Sequence, residues 1–258
     1  MKTLIFFDVD NTLYNNALGA VPSETLKLIE ELANKEDVVL GLATGRSLIK
    51  LSIIETILPY FKYLVLINGS VVYRYQTMIH ESAIDPKDIR DVIQHTQAHN
   101  MTLGMCALHD EAVNQWDQRV EIGMKNLRGI CPHVDPEFYL KHPIYQLWVF
   151  ADQEDVYARL TDDLPKFRAY PWHVGGADFL YHFMNKAYGI KEVMKHEAFD
   201  RLICVGDGAN DIEMIELADI GIAMGNSRFH ALKEKADYVA PSIMDNQLYT
   251  FFKSIQLI

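Results

Sequence analysis

Two carboxylates and a hydroxyl follow one another near the start of the chain. Asp8 and Asp10 come directly after the apolar run at residues 3–7, and Thr12 lies two residues further on. If the backbone stays extended, both carboxylates point to the same side, and their repulsion raises one pKa unless a cation intervenes. Because Mg²⁺ prefers oxygen ligands, the pattern predicts a magnesium site. The same residues are also typical of a polar turn that caps a helix.

A second apolar run in the chain also ends on a carboxylate. Residues 202–206 lead into Asp207, and Asn210 and Asp211 follow three and four residues later. In open parallel sheets, ligands bind outside the carboxyl ends of the strands. Two acidic strand ends in one chain favour a reactive site over a pair of polar turns.

The apolar run at residues 38–43 ends on Thr44, Gly45 and Arg46. A hydroxyl and backbone N–H groups at the start of a helix can hold a phosphoryl oxygen, and a helix is predicted at residues 47–57. Thr44 can equally be the cap of that helix. Arg46 can contact a substrate phosphate, pair with a carboxylate or lie in solvent.

Four segments together resemble the ordered motifs of the haloacid dehalogenase superfamily of phosphotransferases. They are residues 8–13, residues 43–46, Lys186 and residues 206–211. Within that superfamily the chain resembles the Cof-like hydrolases with a type IIB cap, because Asn68-Gly69 follows the third predicted strand and a long insertion comes next. The resemblance covers roughly residues 1–80 and 184–258.

The resemblance implies a role for each motif residue and Mg²⁺ as the cofactor. Asp8 is expected to be the nucleophile and a metal ligand. Asp10 is expected to be the general acid and base, with its backbone carbonyl on the metal. Asp207 is expected to be a further metal ligand, and Thr44, Gly45 and Lys186 are expected to bind the phosphate. Asn210 and Asp211 are expected to orient metal waters or Lys186. Arg46 and Asn68 are candidate substrate contacts.

Strands and helices alternate at both ends of the chain, which predicts an α/β fold with a doubly wound, mostly parallel, Rossmann-like sheet. The resemblance implies that the first strand is central. Residues 82–183 are predicted to form an inserted α+β cap domain, and residues 1–81 with 184–258 the catalytic core. The predicted strands of the core lie at residues 3–7, 38–43, 63–67, 201–206, 220–224 and 238–240. The insertion is predicted to contain helices at 85–99, 111–127 and 154–164. It is also predicted to contain strands at 101–108 and 145–150 and a hairpin at 168–174 and 178–184.

Composition limits the partners of the protein. A formal net charge of -11 argues against a general nucleic-acid or anionic-membrane surface. No apolar segment is long enough to span a bilayer, and three widely spaced cysteines, Cys106, Cys131 and Cys204, favour the cytoplasm. We therefore expect a small phosphate ester as substrate, sugar phosphates among the candidates, no nucleic-acid or membrane partner, and a monomer or homodimer.

Three other functions use similar residues. A sugar phosphomutase on the same framework keeps the phospho-enzyme instead of hydrolysing it. A protein that binds a phospho-ligand without turnover is the non-enzymatic alternative. A receiver-type signalling domain also combines strand-end aspartates with Thr and Lys, but it is much smaller and has no cap.

Overall fold

The computed structural model describes residues 1–124, 131–152, 155–173 and 175–258. The chain forms two compact units. The first unit comprises Met1–Arg46, Leu51–His80 and Asn185–Ile258; the second comprises Ser47–Lys50 and Glu81–Met184. Their functions as catalytic core and cap stay predictions.

The described residues contain fourteen strands and eight α-helices. The strands are β1 (Thr3–Phe7), β2 (Val38–Ala43), β3 (Tyr63–Leu66), β4 (Val71–Arg74), β5 (Thr77–Glu81), β6 (Thr102–Cys106), β7 (Glu111–Val113), β8 (His133–Val134), β9 (Gln146–Phe150), β10 (Phe167–His173), β11 (Gly176–Tyr181), β12 (Arg201–Gly206), β13 (Ile220–Met224) and β14 (Tyr238–Ala240). The helices are α1 (Ser23–Ala33), α2 (Pro86–Ala98), α3 (Gln118–Met124), α4 (Asp155–Asp163), α5 (Lys186–Met194), α6 (Ile212–Leu217), α7 (His230–Lys235) and α8 (Leu248–Ser254).

Strand β1 lies in the middle of the larger sheet, whose described strands have the order β14-β13-β12-β1-β2-β3-β4-β5. It is parallel to β12 on one side and to β2 on the other, and its last residue, Phe7, lies opposite Val205 and Leu42. The residues that follow these three strands therefore meet at one edge of the sheet. The predicted doubly wound, mostly parallel α/β fold with a central first strand is confirmed.

Burial on both faces explains why β1 carries an uninterrupted apolar run. All five of its residues are buried. Leu4 and Phe6 pack in a cluster with Ile190 of α5, while the ring of Phe7 stacks on Phe252 of α8 with centroids 6.1 Å apart. A parallel strand between two helical layers shows such a pattern, and the first polar position after it, Asp8, is where the chain leaves the sheet.

The second unit contains a mainly antiparallel sheet. Its described strands have the order β10-β11-β9-β6-β7-β8, and β7 with β8 is the parallel pair. One buried cluster covers a face of this sheet and includes Leu103, Leu147 and Phe179 from the strands and Ile89 and Leu160 from α2 and α4. The predicted hairpin is present as the antiparallel pair of β10 and β11. Its second strand is Gly176–Tyr181 instead of the predicted 178–184, and residue 174 lies outside the described residues.

Two predicted helices differ in the structure. Residues 47–57 do not form an α-helix; Leu48–Ile54 is a 3₁₀ helix. Its β-branched isoleucines have a slightly lowered helix propensity, and one end of the segment is held by contacts in the second unit. The predicted helix at 111–127 begins with strand β7 and continues as α3, because Glu111 and Ala112 pair with β6. The remainder of that prediction, at 125–127, and residue 154 of the predicted helix at 154–164 lie outside the described residues.

Candidate active site

A tight turn after β1 places Asp8. The Asp8 side chain is buried, and its backbone N–H donates to the Val205 carbonyl at 2.9 Å. The Tyr14 N–H donates back to the Val9 carbonyl at 2.8 Å. Asn11 has a φ of 55°, and Asn tolerates this left-handed conformation better than most residues do. The turn therefore directs Asp8 and Asp10 to the edge where β12 and β2 also end.

Lys186 lies between two of the predicted acidic residues. Its Nζ donates to Asp8 Oδ1 at 2.6 Å and to Asp211 Oδ1 at 2.5 Å, and the side chain is 1% exposed. Burial lowers the pKa of Lys186, but the charges of Asp211 and Asp8 outweigh burial and raise it above the usual value. The ammonium group therefore stays protonated and joins the strand ends of β1 and β12.

A glycine allows α5 to approach closely enough for this contact. Gly69 has a φ of 102°, and a Cβ at this position would lie 2.1 Å from the Asn185 carbonyl oxygen. Asn185 is the N-cap of α5, and its Oδ1 accepts from the Tyr188 N–H at 2.8 Å. The Asn68-Gly69 pair thus positions the helix that carries Lys186, a role that the sequence analysis did not foresee.

Asp211 holds the loop after β12. It is fully buried, and its Oδ2 accepts from the backbone N–H groups of Asp207 at 2.9 Å and Gly208 at 2.7 Å. Gly206 is required beside it, since a Cβ there would lie 2.5 Å from the carboxylate carbon. Because both oxygens of Asp211 are occupied, this residue orients Lys186 and the Asp207 loop.

Three carboxylates form the negative part of the site. Oxygens of Asp8, Asp207 and Asp211 all lie within 4.8 Å of one another. Burial raises the pKa of Asp8 to about 7; Lys186 opposes the rise, and the charges of Asp211 and Asp10 add to it. Burial and then the charge of Asp8 raise the pKa of Asp207 well above its usual value. One ammonium group does not balance three carboxylates, so the donor set fits a divalent cation that prefers oxygen.

Thr44 lies at the end of β2 in a chain of hydrogen bonds. It is buried, its Oγ1 accepts from the Arg46 N–H at 3.1 Å, and its carbonyl accepts from the Asn68 N–H at 2.9 Å. Asn210 Nδ2 donates to Asn68 Oδ1 at 2.7 Å. Gly45 is half-buried between Thr44 and Arg46. The amides of Asn68 and Asn210 therefore connect the Thr44 loop with the Asp207 loop.

Arg46 pairs with Asp10. Its Nε donates to Asp10 Oδ2 and its Nη2 to Asp10 Oδ1, each at 2.8 Å. Burial raises the pKa of Asp10, but the hydrogen bonds and charge of Arg46, with a hydrogen bond from Asn16, lower it below the usual value. Of the three predicted environments for Arg46, the structure has the carboxylate pair. The Asp10 carboxylate is consequently turned towards Arg46.

Asn226 and Ser227 also contact the site, and the sequence analysis missed them. Asn226 Nδ2 donates to the Asn11 carbonyl at 3.1 Å and to Asp207 Oδ2 at 3.3 Å. Ser227 Oγ donates to the Asp207 carbonyl at 2.6 Å. The available signal was their position, because they come two and three residues after the end of β13 and form another polar strand end beside β12.

Comparisons with known proteins found similar sequences and structures over nearly the whole chain. A model of the haloacid dehalogenase-like hydrolase family matches residues 5–252. The Bacillus subtilis protein named "Putative phosphatase YkrA" is 31% identical over 99% of this chain and 98% of its own. The B. subtilis 5-amino-6-(5-phospho-D-ribitylamino)uracil phosphatase YitU is 26% identical over 97% and 96%. The solved structure of the subclass IIB sugar phosphatase BT4131 superposes with a TM-score of 0.87 at 25% identity, over the full length of both chains.

Proposed function

Because the chain belongs to the haloacid dehalogenase-like hydrolases and is an enzyme that acts on phosphate esters, we propose that it is a magnesium-dependent phosphatase of small monoesters, with Asp8 as nucleophile. The observation that carries the proposal is the position of Lys186 between Asp8 and Asp211, with Asp207 beside them. Transfer of a phosphoryl group requires a positioned nucleophile and positive charge around it. Here Asp8 is the buried nucleophile, the Lys186 ammonium group is a buried positive charge, and the excess of carboxylate oxygens can hold a metal ion.

The first step forms a bond between an oxygen of Asp8 and phosphorus while the bond to the leaving alcohol breaks. The ammonium group of Lys186 orients the Asp8 carboxylate and reduces its negative charge as it approaches the phosphoryl group. Thr44, Gly45 and Lys186 are the proposed donors to the phosphoryl oxygens. The result is an aspartyl-phosphate on Asp8, from which water releases inorganic phosphate in the second step.

Asp10 moves the protons in this scheme. It donates one to the leaving alcohol in the first step and accepts one from the attacking water in the second. The hydrogen bonds from Arg46 favour the ionised form of Asp10, which suits the second step. Donation in the first step requires that the pair with Arg46 loosens when a substrate is bound.

The residues that would hold Mg²⁺ are the carboxylates of Asp8 and Asp207 and the backbone carbonyl of Asp10. When bound, the cation neutralises charge on the phosphoryl oxygens. Asn226 supports this set because it donates to Asp207 Oδ2 and to the carbonyl of Asn11, the residue after Asp10.

Small soluble esters, sugar phosphates among them, are the proposed substrates. A net charge of -11 does not favour polyanionic partners. Electrostatic attraction of an anionic substrate is therefore confined to the proposed active site. The names of BT4131 and YitU, a sugar phosphatase and a phosphatase of a phosphorylated ribityl compound, also support small substrates. Among the described helices, none has both the length and the apolar character to cross a bilayer. The proposed cytoplasmic location rests on the cysteine pattern, and the monomer or homodimer stays a prediction.

Hydrolysis of an aryl phosphate tests the function. We expect turnover with Mg²⁺, loss of turnover with a chelator and recovery when Mg²⁺ is added back. Acid quenching with labelled substrate should give a phospho-enzyme, which Asp8→Asn abolishes. The matched control is Asp219→Asn, because Asp219 accepts from the Leu202 N–H at the opposite end of β12. Transfer of the label to a second sugar instead of to water would favour the phosphomutase, and binding without turnover the non-enzymatic alternative.

A further inference from the structure

The four residues that follow Arg46 belong to the second unit. Met1–Arg46 and Leu51–His80 are part of the first unit, whereas Ser47–Lys50 groups with Glu81–Met184. Within the segment, the Lys50 N–H donates to the Ser47 carbonyl at 3.1 Å. Ser47 and Lys50 are both buried. Both ends of this short segment of the second unit are thus enclosed, whereas Leu48 and Ile49 are half-buried.

One carboxylate holds both ends of this segment. Glu111 is the first residue of β7 and is 1% exposed. Its Oε1 accepts from Ser47 Oγ at 2.8 Å, and its Oε2 lies 2.5 Å from Lys50 Nζ. The same Nζ lies 4.5 Å from the centre of the Trp148 ring. Because β7 is paired with β6, the backbone of Glu111 is fixed in the sheet.

A gain in folding stability does not explain well why Glu111 and Lys50 form a buried ion pair. Desolvation of two charges opposes their attraction, and well-packed apolar residues often stabilise a protein as much or more. What the pair supplies is a fixed geometry. A carboxylate on a paired strand specifies the positions of Ser47 and Lys50 more narrowly than apolar contacts would.

Arg46 is joined to Ser47 by one peptide bond. The Arg46 N–H donates to Thr44 Oγ1, its carbonyl accepts from the Ile67 N–H at 3.1 Å, and its guanidinium holds Asp10. We propose that Glu111 is a positioning residue for phosphoryl transfer, which acts through Ser47 and Lys50 on Thr44 and Arg46. This inference rests on the proposed function, because that function assigns the roles of Thr44 and Asp10.

The experiment compares full-length variants on one alkyl and one aryl phosphate. Ser47→Ala removes one hydrogen bond, Glu111→Gln removes the charge of the carboxylate, and the double variant Lys50→Met with Glu111→Gln removes both charges. Asp88→Asn is the control: Asp88 is a buried acid of the second unit that accepts from Lys166 Nζ at 2.6 Å and Tyr181 Oη at 2.7 Å. Thermal unfolding of every variant is measured in parallel.

We expect Glu111→Gln and the double variant to lower kcat by about 10- to 100-fold, as misplaced catalytic groups do. Ser47→Ala should have a smaller effect of the same kind. The kcat on the alkyl ester should fall more than the kcat on the aryl ester, because a misplaced Arg46 no longer directs the Asp10 carboxylate and only a poor leaving alcohol needs its proton. The double variant should unfold at a temperature no lower than that of Glu111→Gln, while its kcat stays low. Asp88→Asn should lower the unfolding temperature and leave kcat and the alkyl-to-aryl ratio unchanged.

Two results would overturn the inference. In one, kcat of the double variant recovers together with its unfolding temperature. In the other, the alkyl-to-aryl ratio of all three variants equals that of the wild type. Either result would make Glu111 a structural residue only. Wild-type protein without magnesium-dependent hydrolysis would overturn the proposed function and this inference with it.

Discussion

Arg46 holds the Asp10 carboxylate through two parallel hydrogen bonds of 2.8 Å, Nε to Oδ2 and Nη2 to Oδ1. The Arg46 side chain is 7% exposed and that of Asp10 is 31% exposed. An Arg–carboxylate fork of this kind fixes the direction of the carboxylate as well as its charge. The proton-transfer group of the proposed reaction is therefore oriented by a residue that lies 36 positions away in the chain.

Asp10→Asn should slow hydrolysis of alkyl esters more than hydrolysis of activated aryl esters, because only the poor leaving group needs a proton. The amide oxygen of Asn can still accept one bond from Arg46, so the fold should survive. Steady-state kcat on both esters is the measurement. Equal losses on the two substrates would argue against an acid role for Asp10.

Mg²⁺ should raise the unfolding temperature of the wild-type protein, since an ion that binds only the folded state stabilises it. Asp207→Asn should reduce this rise, because the neutral amide oxygen of Asn replaces a charged carboxylate ligand. Differential scanning calorimetry with Mg²⁺ or with chelator measures the effect, and Asp219→Asn serves as control. A rise of the same size in Asp207→Asn would show that Asp207 does not hold the ion.

Glu197 should make stability depend on pH. Its carboxylate accepts from Lys2, from Lys62 Nζ at 2.5 Å and from Tyr63 Oη at 2.8 Å. Burial opposes ionisation, but these three donors lower the pKa of Glu197 from 4.5 to about 2. Because the folded pKa is the lower one, the stabilisation is fully present above pH 4.5 and is lost as the pH falls towards 2.

Urea unfolding of Glu197→Gln checks this expectation. The variant should lose ~2 kcal/mol of unfolding free energy at pH 7, and the difference from wild type should shrink between pH 4.5 and 2. Glu216→Gln is the control, because the pair of Glu216 with Lys235 is about half exposed and such pairs contribute little. If the difference in unfolding free energy between Glu197→Gln and the wild type stays constant down to pH 2, the lowered pKa of Glu197 is not its cause.

Gly69→Ala should reduce both stability and activity. The new methyl group would meet the Asn185 carbonyl oxygen, and Ala at a φ of 102° is strained, so a loss of at least ~2 kcal/mol is expected. Any shift of Asn185 also moves Lys186, which follows it in the chain. Gly19→Ala is the matched control, since Gly19 has a positive φ of 72° in the turn after Asn15. If both variants lose only stability and keep kcat, Gly69 does not position Lys186.

The sequence alone determined the parallel strands of the larger sheet and the acidic groups at the ends of β1 and β12. β1, β2, β12, β13 and β14 have the predicted bounds. A buried parallel strand such as β1 needs an unbroken apolar run, and such a run is visible locally. The edge strand β14 could be identified from its short apolar run as well, although Tyr238 and Val239 are exposed. The first polar residue after each run then marks the edge of the sheet. Asp8, Thr44 and Asp207 could be identified in this way, and the motif resemblance added Lys186.

Only the tertiary structure decided how these residues are connected. Three hydrogen-bonded contacts could not be predicted from helix or strand periodicity, because they depend on the order of strands in the sheet. They join Arg46 to Asp10, Asn210 to Asn68 and Asn226 to Asp207. Glu111 shows the same limit. Its surroundings in the sequence predicted a helix, but pairing with β6 made it a strand residue and brought it to Ser47 and Lys50. Backbone pairing and buried charge contacts between distant segments outweigh local preference, since each is satisfied only in the folded chain.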